Sequence, residues 1–169
     1  MQYNRNMSSK QDEIAAFQVA TRDLVGVALR SLDALKGEVS LAQFRLLFAL
    51  HELGRCPSSQ VARALGVQAS SVTRLADRLF ASGHVQRGTD PRSRRVVVLV
   101  LSDRGKQLVN SVLAQRRAEI VRYLDRMPPE ARAAAAAGLR CLHEVIAQET
   151  DARYSSELSE VAAAASYVV

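Results

Sequence analysis

The pattern of apolar residues points to a mainly α chain with one small β-hairpin, on three grounds. Apolar residues recur at intervals of three and four through most of the 169 residues, the spacing that lays one stripe along a helix. The one sustained β-branched run is Val96-Val97-Val98-Leu99-Val100-Leu101, a composition that strands accept and helices disfavour. Gly37, Gly54, Gly66 and Gly83 fall between the helical blocks, where the chain has to turn.

In chain order, Ile14, Phe17, Ala20/Thr21, Leu24/Val25, Ala28 and Leu32/Leu35 predict one long amphipathic helix from Gln11 to Leu35, ended by Gly37. Ser40 offers an N-cap to a second helix, Leu41 to Leu53, which Gly54 and Pro57 end. Ser58 or Ser59 is the expected cap of a short helix from Gln60 to Leu65, with Val61, Ala62 and Leu65 inward and Gly66 in the left-handed turn. A longer helix from Ala69 to Ala81 turns Val72, Leu75, Ala76 and Leu79 inward, and Ser82-Gly83 closes it. A helix of about two turns, a glycine turn and a helix of three to four turns with a polar outer face is the helix-turn-helix pattern.

Strands are expected at His84 to Arg87 and Val96 to Leu101, joined by the basic loop Gly88 to Arg95. Such a hairpin is marginal alone, so it must pack on the preceding helices as a wing. Ser102-Asp103 caps another long helix carrying Val109, Val112/Leu113, Ile120/Val121 and Leu124. After Pro128-Pro129 a last helix runs from Glu130 to about Gln148 through Ala134, Leu139, Leu142, Val145 and Ile146. The expected organisation is a winged helix-turn-helix over 41–101, flanked by long dimerisation helices at 10–36 and 103–148. Residues 1–9 and 150–169 are read as tails.

Composition removes several function classes. The chain is 48% apolar and 24% charged, with no apolar run near the roughly 20 residues of a membrane span. Two cysteines cannot frame a disulfide scaffold, and no signal-peptide core opens the chain, so a cytoplasmic protein with no membrane partner is expected. The net charge is +6, and its distribution is informative. Arg55 to Arg95 holds eight arginines against Asp77 and Asp90, which accounts for the whole +6; the rest has 15 bases and 15 acids. A basic segment set in a neutral chain is the footprint of a polyanion binder.

The long terminal helices predict a second copy. A compact central module cannot cover three long amphipathic helices, whereas the same helices of another chain can, around a two-fold axis. A dimer of DNA readers then calls for half-sites about one helical turn apart, roughly 34–36 Å.

Ser70-Ser71-Val72-Thr73-Arg74-Leu75-Ala76-Asp77-Arg78-Leu79, Gly83-His84-Val85-Gln86-Arg87 and the wing sequence Asp90 to Leu101 together resemble the MarR family of bacterial transcriptional regulators. The resemblance covers about residues 10 to 148 and departs at Ser93, where the family carries an acid two residues before its groove-reading arginine. It implies a homodimer on double-stranded DNA, and the helix geometry assigns roles. Gln68, Ser70, Ser71 and Arg74, near the N-terminus of the recognition helix, face base edges, while Thr73 and Arg78 hold phosphates. The alternative for Arg78 is a structural pair with Asp77. In the wing, Arg95 is the first choice for the minor groove and Arg94 the second, with Arg92 near phosphate.

The same resemblance implies a crevice for a small aromatic or phenolic anion. The expected lining residues are Phe44, Arg45, Phe48 and His51, although Phe44 and Phe48 also read as ordinary core and Arg45 as a surface residue. Cys56 reads as an exposed loop thiol whose pKa Arg55 lowers, and Cys141 as a small buried hydrophobe. No metal-ligand spacing links His51, His84 and His143, and no phosphate loop or nucleophile triad is present, so neither a cofactor, a metal nor an enzyme is expected. The expected function is a dimeric repressor released by a small ligand. The alternatives are a DNA-binding protein without effector, constitutive or architectural, and a regulator switched by cysteine oxidation.

Overall fold

Each predicted helical block forms, those at 41–53 and 69–81 with the expected bounds and the others with altered ends. The computed structural model describes the backbone of residues 2–90 and 93–166 and the side chains of residues 9–89 and 97–149. The elements are α1 (Gln2–Arg30), a 3₁₀ turn (Ser31–Leu35), α2 (Leu41–Leu53), β1 (Cys56–Pro57), α3 (Ser58–Leu65), α4 (Ala69–Ala81), β2 (Val85–Asp90), β3 (Ser93–Leu101), α5 (Asp103–Leu124) and α6 (Pro129–Ser166). The chain divides into two compact units, Met1–Ile120 and Val121–Val169.

The core of the first unit is the inward face of the helix-turn-helix. Leu46, Leu47 and Leu50 of α2 meet Val61 of α3, Val72 and Leu79 of α4, Leu99 of β3, and Val109 and Val112 of α5, all almost completely buried. Burying each such side chain contributes about 1.5–3 kcal/mol, which fixes the orientation of α4 and hence of its opposite face. The sheet is antiparallel with strand order β1-β3-β2.

Four differences from the expected boundaries have identifiable physical causes. The first helix does not run to Leu35. Buried Ser31 donates from Oγ to the Ala28 carbonyl at 2.6 Å, while Gln115 and Arg116 of α5 donate to the Arg30 carbonyl and to Ser31 Oγ. These bonds compete with the α-helical ladder, and the chain tightens to 3₁₀ before Lys36 turns left-handed at φ 48°. The short helix begins at Ser58, not Gln60, with Pro57 at the N-cap position and no side-chain cap bond, because Cys56 and Pro57 pair with Leu99 and Val98 and hold the chain extended up to it. The basic loop of the wing is shorter than Gly88 to Arg95: pairing continues through Gly88↔Val98 and Thr89↔Val97 to Asp90↔Ser93, with a register irregularity between Thr89 and Asp90. His84 is not a strand residue but a buried turn residue, its N–H donating to the Leu79 carbonyl.

The expected caps at Ser40, Gly66 and Ser102 form as read, Ser102 Oγ accepting from the Gly105 N–H. Ser40 Oγ accepts from the Gln43 N–H while the Gln43 side chain accepts from the Ser40 N–H, a complete capping box. Gly66 takes the left-handed conformation between α3 and α4 at φ 65°.

In the second unit, Arg122 lies over the Tyr123 ring at 5.3 Å, and α5 closes with Met127 donating to the Leu124 carbonyl. The helix α6 continues through most of the stretch read as a tail, to Ser166, in keeping with its alanine content. Leu139, Leu142, Val145 and Ile146 on it are exposed.

Candidate nucleic-acid interface

The outward face of α4 is set by what holds its C-terminal end. Ser102, just before α5, donates from Oγ to the Gly83 carbonyl at 2.6 Å and accepts from the Gly105 N–H, while its own N–H donates to the His84 carbonyl. Gly105 permits this approach, since a methyl there would overlap the His84 carbonyl oxygen. Arg104 joins the same knot, donating to the Ser82 carbonyl at 3.2 Å and pairing with Glu38 at 2.9 Å. Its guanidinium holds the Glu38 carboxyl below the usual range.

His84 is the buried ionisable group of this knot. Its Nδ1 lies 2.8 Å from Ser82 Oγ, whereas Nε2 has no hydrogen-bond partner among the described residues, with the Glu38 carboxylate 3.7 Å away. Burial pushes its pKa down, helped by Arg104 and opposed by Glu38, which keeps the ring neutral near pH 7.

With Val72, Ala76 and Leu79 inward, α4 presents Gln68, Ser70, Thr73, Arg74 and Arg78 to solvent, and Ser71 half-buried. The structure therefore brings the recognition-helix candidates onto one accessible surface. Among the described residues neither the Arg74 nor the Arg78 side chain has a hydrogen-bond or ion-pair partner. Asp77, the alternative partner of Arg78, is paired with Arg87 of β2, whose guanidinium also lies over Phe80 at 5.2 Å. Thr73 Oγ1 donates to the Ala69 carbonyl at 3.1 Å. Arg92 lies outside the described residues, as do the side chains of Arg94 and Arg95.

Sequence reasoning found Ser102 as the cap of α5 but missed the contacts that hold this surface in place. It treated Arg55 and Arg87 as part of one basic cluster; the sole acid on an otherwise basic recognition helix, Asp77, was the available signal that one arginine of the wing is paired. Ser102 caps α5 as expected, but its bond to the Gly83 carbonyl, like the contacts of His84 and Gly105, carries no periodic signal, because a turn-to-turn contact is fixed by tertiary structure.

A separate cavity of about 490 Å³ lies in the first unit, walled by Leu29 and Leu32 before α2, Phe44, Arg45 and Phe48 of α2, and Leu65 of α3. Arg116 lines it too. Three of the four ligand candidates thus meet in one place. His51 does not line it, but stacks on Phe48 with centroids 6.4 Å apart. Phe44 is core as well as lining, being only 5% exposed.

Both cysteine expectations are overturned. Cys56 is buried, pairing in β1, and burial pushes its thiol pKa up, whatever Arg55 supplies. Cys141 is exposed on α6 rather than buried. Among the described residues no three His, Cys, Asp or Glu side chains are grouped to hold a metal ion, and no helix is long and apolar enough to cross a membrane.

A helix-turn-helix, a three-stranded wing sheet and an outward basic helix define a winged-helix DNA-binding protein. The MarR family model matches residues 39–97. The chain is 32% identical to Rv1404 from Mycobacterium tuberculosis, whose crystal structure superposes with a TM-score of 0.71 over 78% of this chain and 90% of that one. It is 28% identical over 140 residues to the HTH-type transcriptional regulator YfiV of Bacillus subtilis, covering 83% of this chain and 87% of that protein. It is 36% identical over 95 residues to the HTH-type transcriptional repressor MdtR of the same organism, covering 56% of this chain and 61% of that protein. The chain belongs to the MarR family. It is a DNA-binding transcriptional regulator and not an enzyme.

Proposed function

We propose that this protein is a homodimeric repressor that binds a pseudo-palindromic operator and is released by a small aromatic or phenolic anion. The observation that carries the DNA reading is the outward face of α4, where Arg74 and Arg78 stand exposed and, among the described residues, unpaired beside Gln68, Ser70 and Ser71. Gln68, Ser70, Ser71 and Arg74 read base edges, Thr73 and Arg78 hold phosphate, and Arg95, Arg94 and Arg92 serve the minor groove and its rim. The repressor sign rests on the similarity to MdtR.

The dimer reading is supported by Ile14, Phe17, Leu24, Val25 and Leu29 on α1, which are apolar and exposed in the single chain, and by the exposed apolar residues of α6. The effector reading is supported by the cavity, whose walls are apolar apart from Arg45, Arg116 and Glu52. An anion that favours a DNA-incompetent arrangement of the two recognition helices need supply only about 1–3 kcal/mol of coupling.

Fluorescence anisotropy on the protein's own upstream DNA and on a scrambled duplex, at about 0.15 M salt, tests this reading. Preference of about 10³-fold or more for the upstream DNA, reduced by about one to two orders of magnitude in Arg74→Ala, is the expected result. Equal, weak and salt-sensitive binding to duplexes of every sequence would overturn it.

A further inference from the structure

Two of the arginines in the basic segment are turned toward the protein. Arg55, in the link between α2 and β1, donates from Nη2 to the Thr89 carbonyl at 2.7 Å, close to the end of β2. Gly88 makes room for it: a methyl at that position would lie 2.8 Å from the same Nη2. Two residues earlier on the strand, Arg87 is paired with Asp77 of α4 and packs over Phe80. The outgoing strand of the wing is therefore tied to two different elements, just before its register slips at Thr89/Asp90.

The pair with Asp77 also solves an electrostatic problem. An acid on a helix that faces DNA repels phosphate unless a cation neutralises it, and Arg87 does so from within the protein. Exposed ion pairs add little to global stability. Their value here is angular, because Arg92, Arg94 and Arg95 follow closely on Thr89 and any freedom at the stem is passed on to them.

We propose that Arg55 and Arg87 are positioning residues that aim the wing at DNA, and that neither contacts DNA itself. This rests on the reading that the wing engages DNA, and the experiment separates the two. A duplex is selected from random DNA by the wild-type protein, and a second version is trimmed at both flanks so that only the recognition-helix half-sites remain. Arg55→Ala weakens binding to the full duplex about tenfold, leaves binding to the trimmed duplex unchanged, and leaves the dependence on salt unchanged. Gly88→Ala, which pushes the guanidinium off Thr89, gives the same loss, and combining the two adds nothing further. Asp77→Asn also weakens binding to the full duplex, although it removes a negative charge from the DNA-facing helix.

A fall of about 0.9 in the log–log salt slope for Arg55→Ala or Arg87→Ala would make these residues phosphate contacts and overturn the proposal. Equal losses on both duplexes would do so too, by showing a general defect, as would tighter binding by Asp77→Asn. Wild-type binding that ignores trimming, or selection that returns no preferred sequence, would overturn the DNA-engaging wing itself and the proposal with it.

Discussion

Leu46, Leu47, Val72 and Leu79 lie wholly inside the winged helix-turn-helix, while Ile14, Phe17, Val25 and Leu29 on α1 and Leu139, Val145 and Ile146 on α6 are about half exposed. Both sets are apolar and both recur at helical spacing, so periodicity alone does not tell them apart. What differs is the supply of partners. Around α2, α3 and α4 the sheet and α5 close over the inward faces, whereas among the described residues the apolar side chains of α1 and of α6 named above stay about half exposed. The same pattern thus specifies a finished core in one region and an unfinished one in the other.

The sharpest way to break that contrast is inside the finished core. Gly105→Ala places a methyl against the His84 carbonyl, a backbone atom that cannot move aside cheaply. It is expected to cost about 3 kcal/mol, as is Leu79→Ala through its cavity, read as a fall of about 10 °C in Tm. A second change acts on the unfinished core. Phe17→Glu is expected to leave the winged unit folded but to shift the monomer–dimer equilibrium by about 2 kcal/mol or more, measured by sedimentation; an unchanged dimer would show that α1 is not at the interface.

A third prediction concerns the surface that neither core buries. Arg74→Ala is expected to weaken specific DNA binding by about 1–3 kcal/mol while changing stability by less than about 0.5 kcal/mol, so anisotropy and melting should separate cleanly. The smallest effect is the pH dependence of the knot behind α4. The His84 pKa is lowered in the fold from 6.5, so between that value and the folded one the unfolded chain binds the extra proton. Stability is therefore full above about pH 6.5 and declines as the pH falls below it. His84→Gln should flatten this part of the Tm–pH curve, and a wild-type curve already flat from pH 7 to 5 would contradict it. Glu38, whose pKa is also lowered, adds its own loss only below its ordinary 4.5.

Much of this arrangement was legible in the residues. Ser40, Gly66 and the valine run gave the second helix, the turn and the wing, because each acts through its immediate neighbours. The recognition face of α4 was legible for the same reason: burying Val72, Ala76 and Leu79 leaves Arg74 and Arg78 outside. Local signals failed where distant chain segments meet. The two-residue strand at Cys56–Pro57 is too short for a periodic signal and exists through its pairing with β3, and that pairing also buries a thiol read as exposed. The break after Arg30 depends on hydrogen bonds from Gln115 and Arg116 of α5.

The sequence by itself determined the helical blocks, the placing of the basic charge and the family, since these follow from the order of residue types along the chain. The tertiary structure alone decided which arginines are occupied. Arg55 and Arg87 look like Arg74 and Arg78 in the sequence, yet the first two are held by Thr89 and Asp77 while the other two side chains have no partner among the described residues. A guanidinium has the same charge wherever it lies, and its role is set by which acceptor the fold brings within reach.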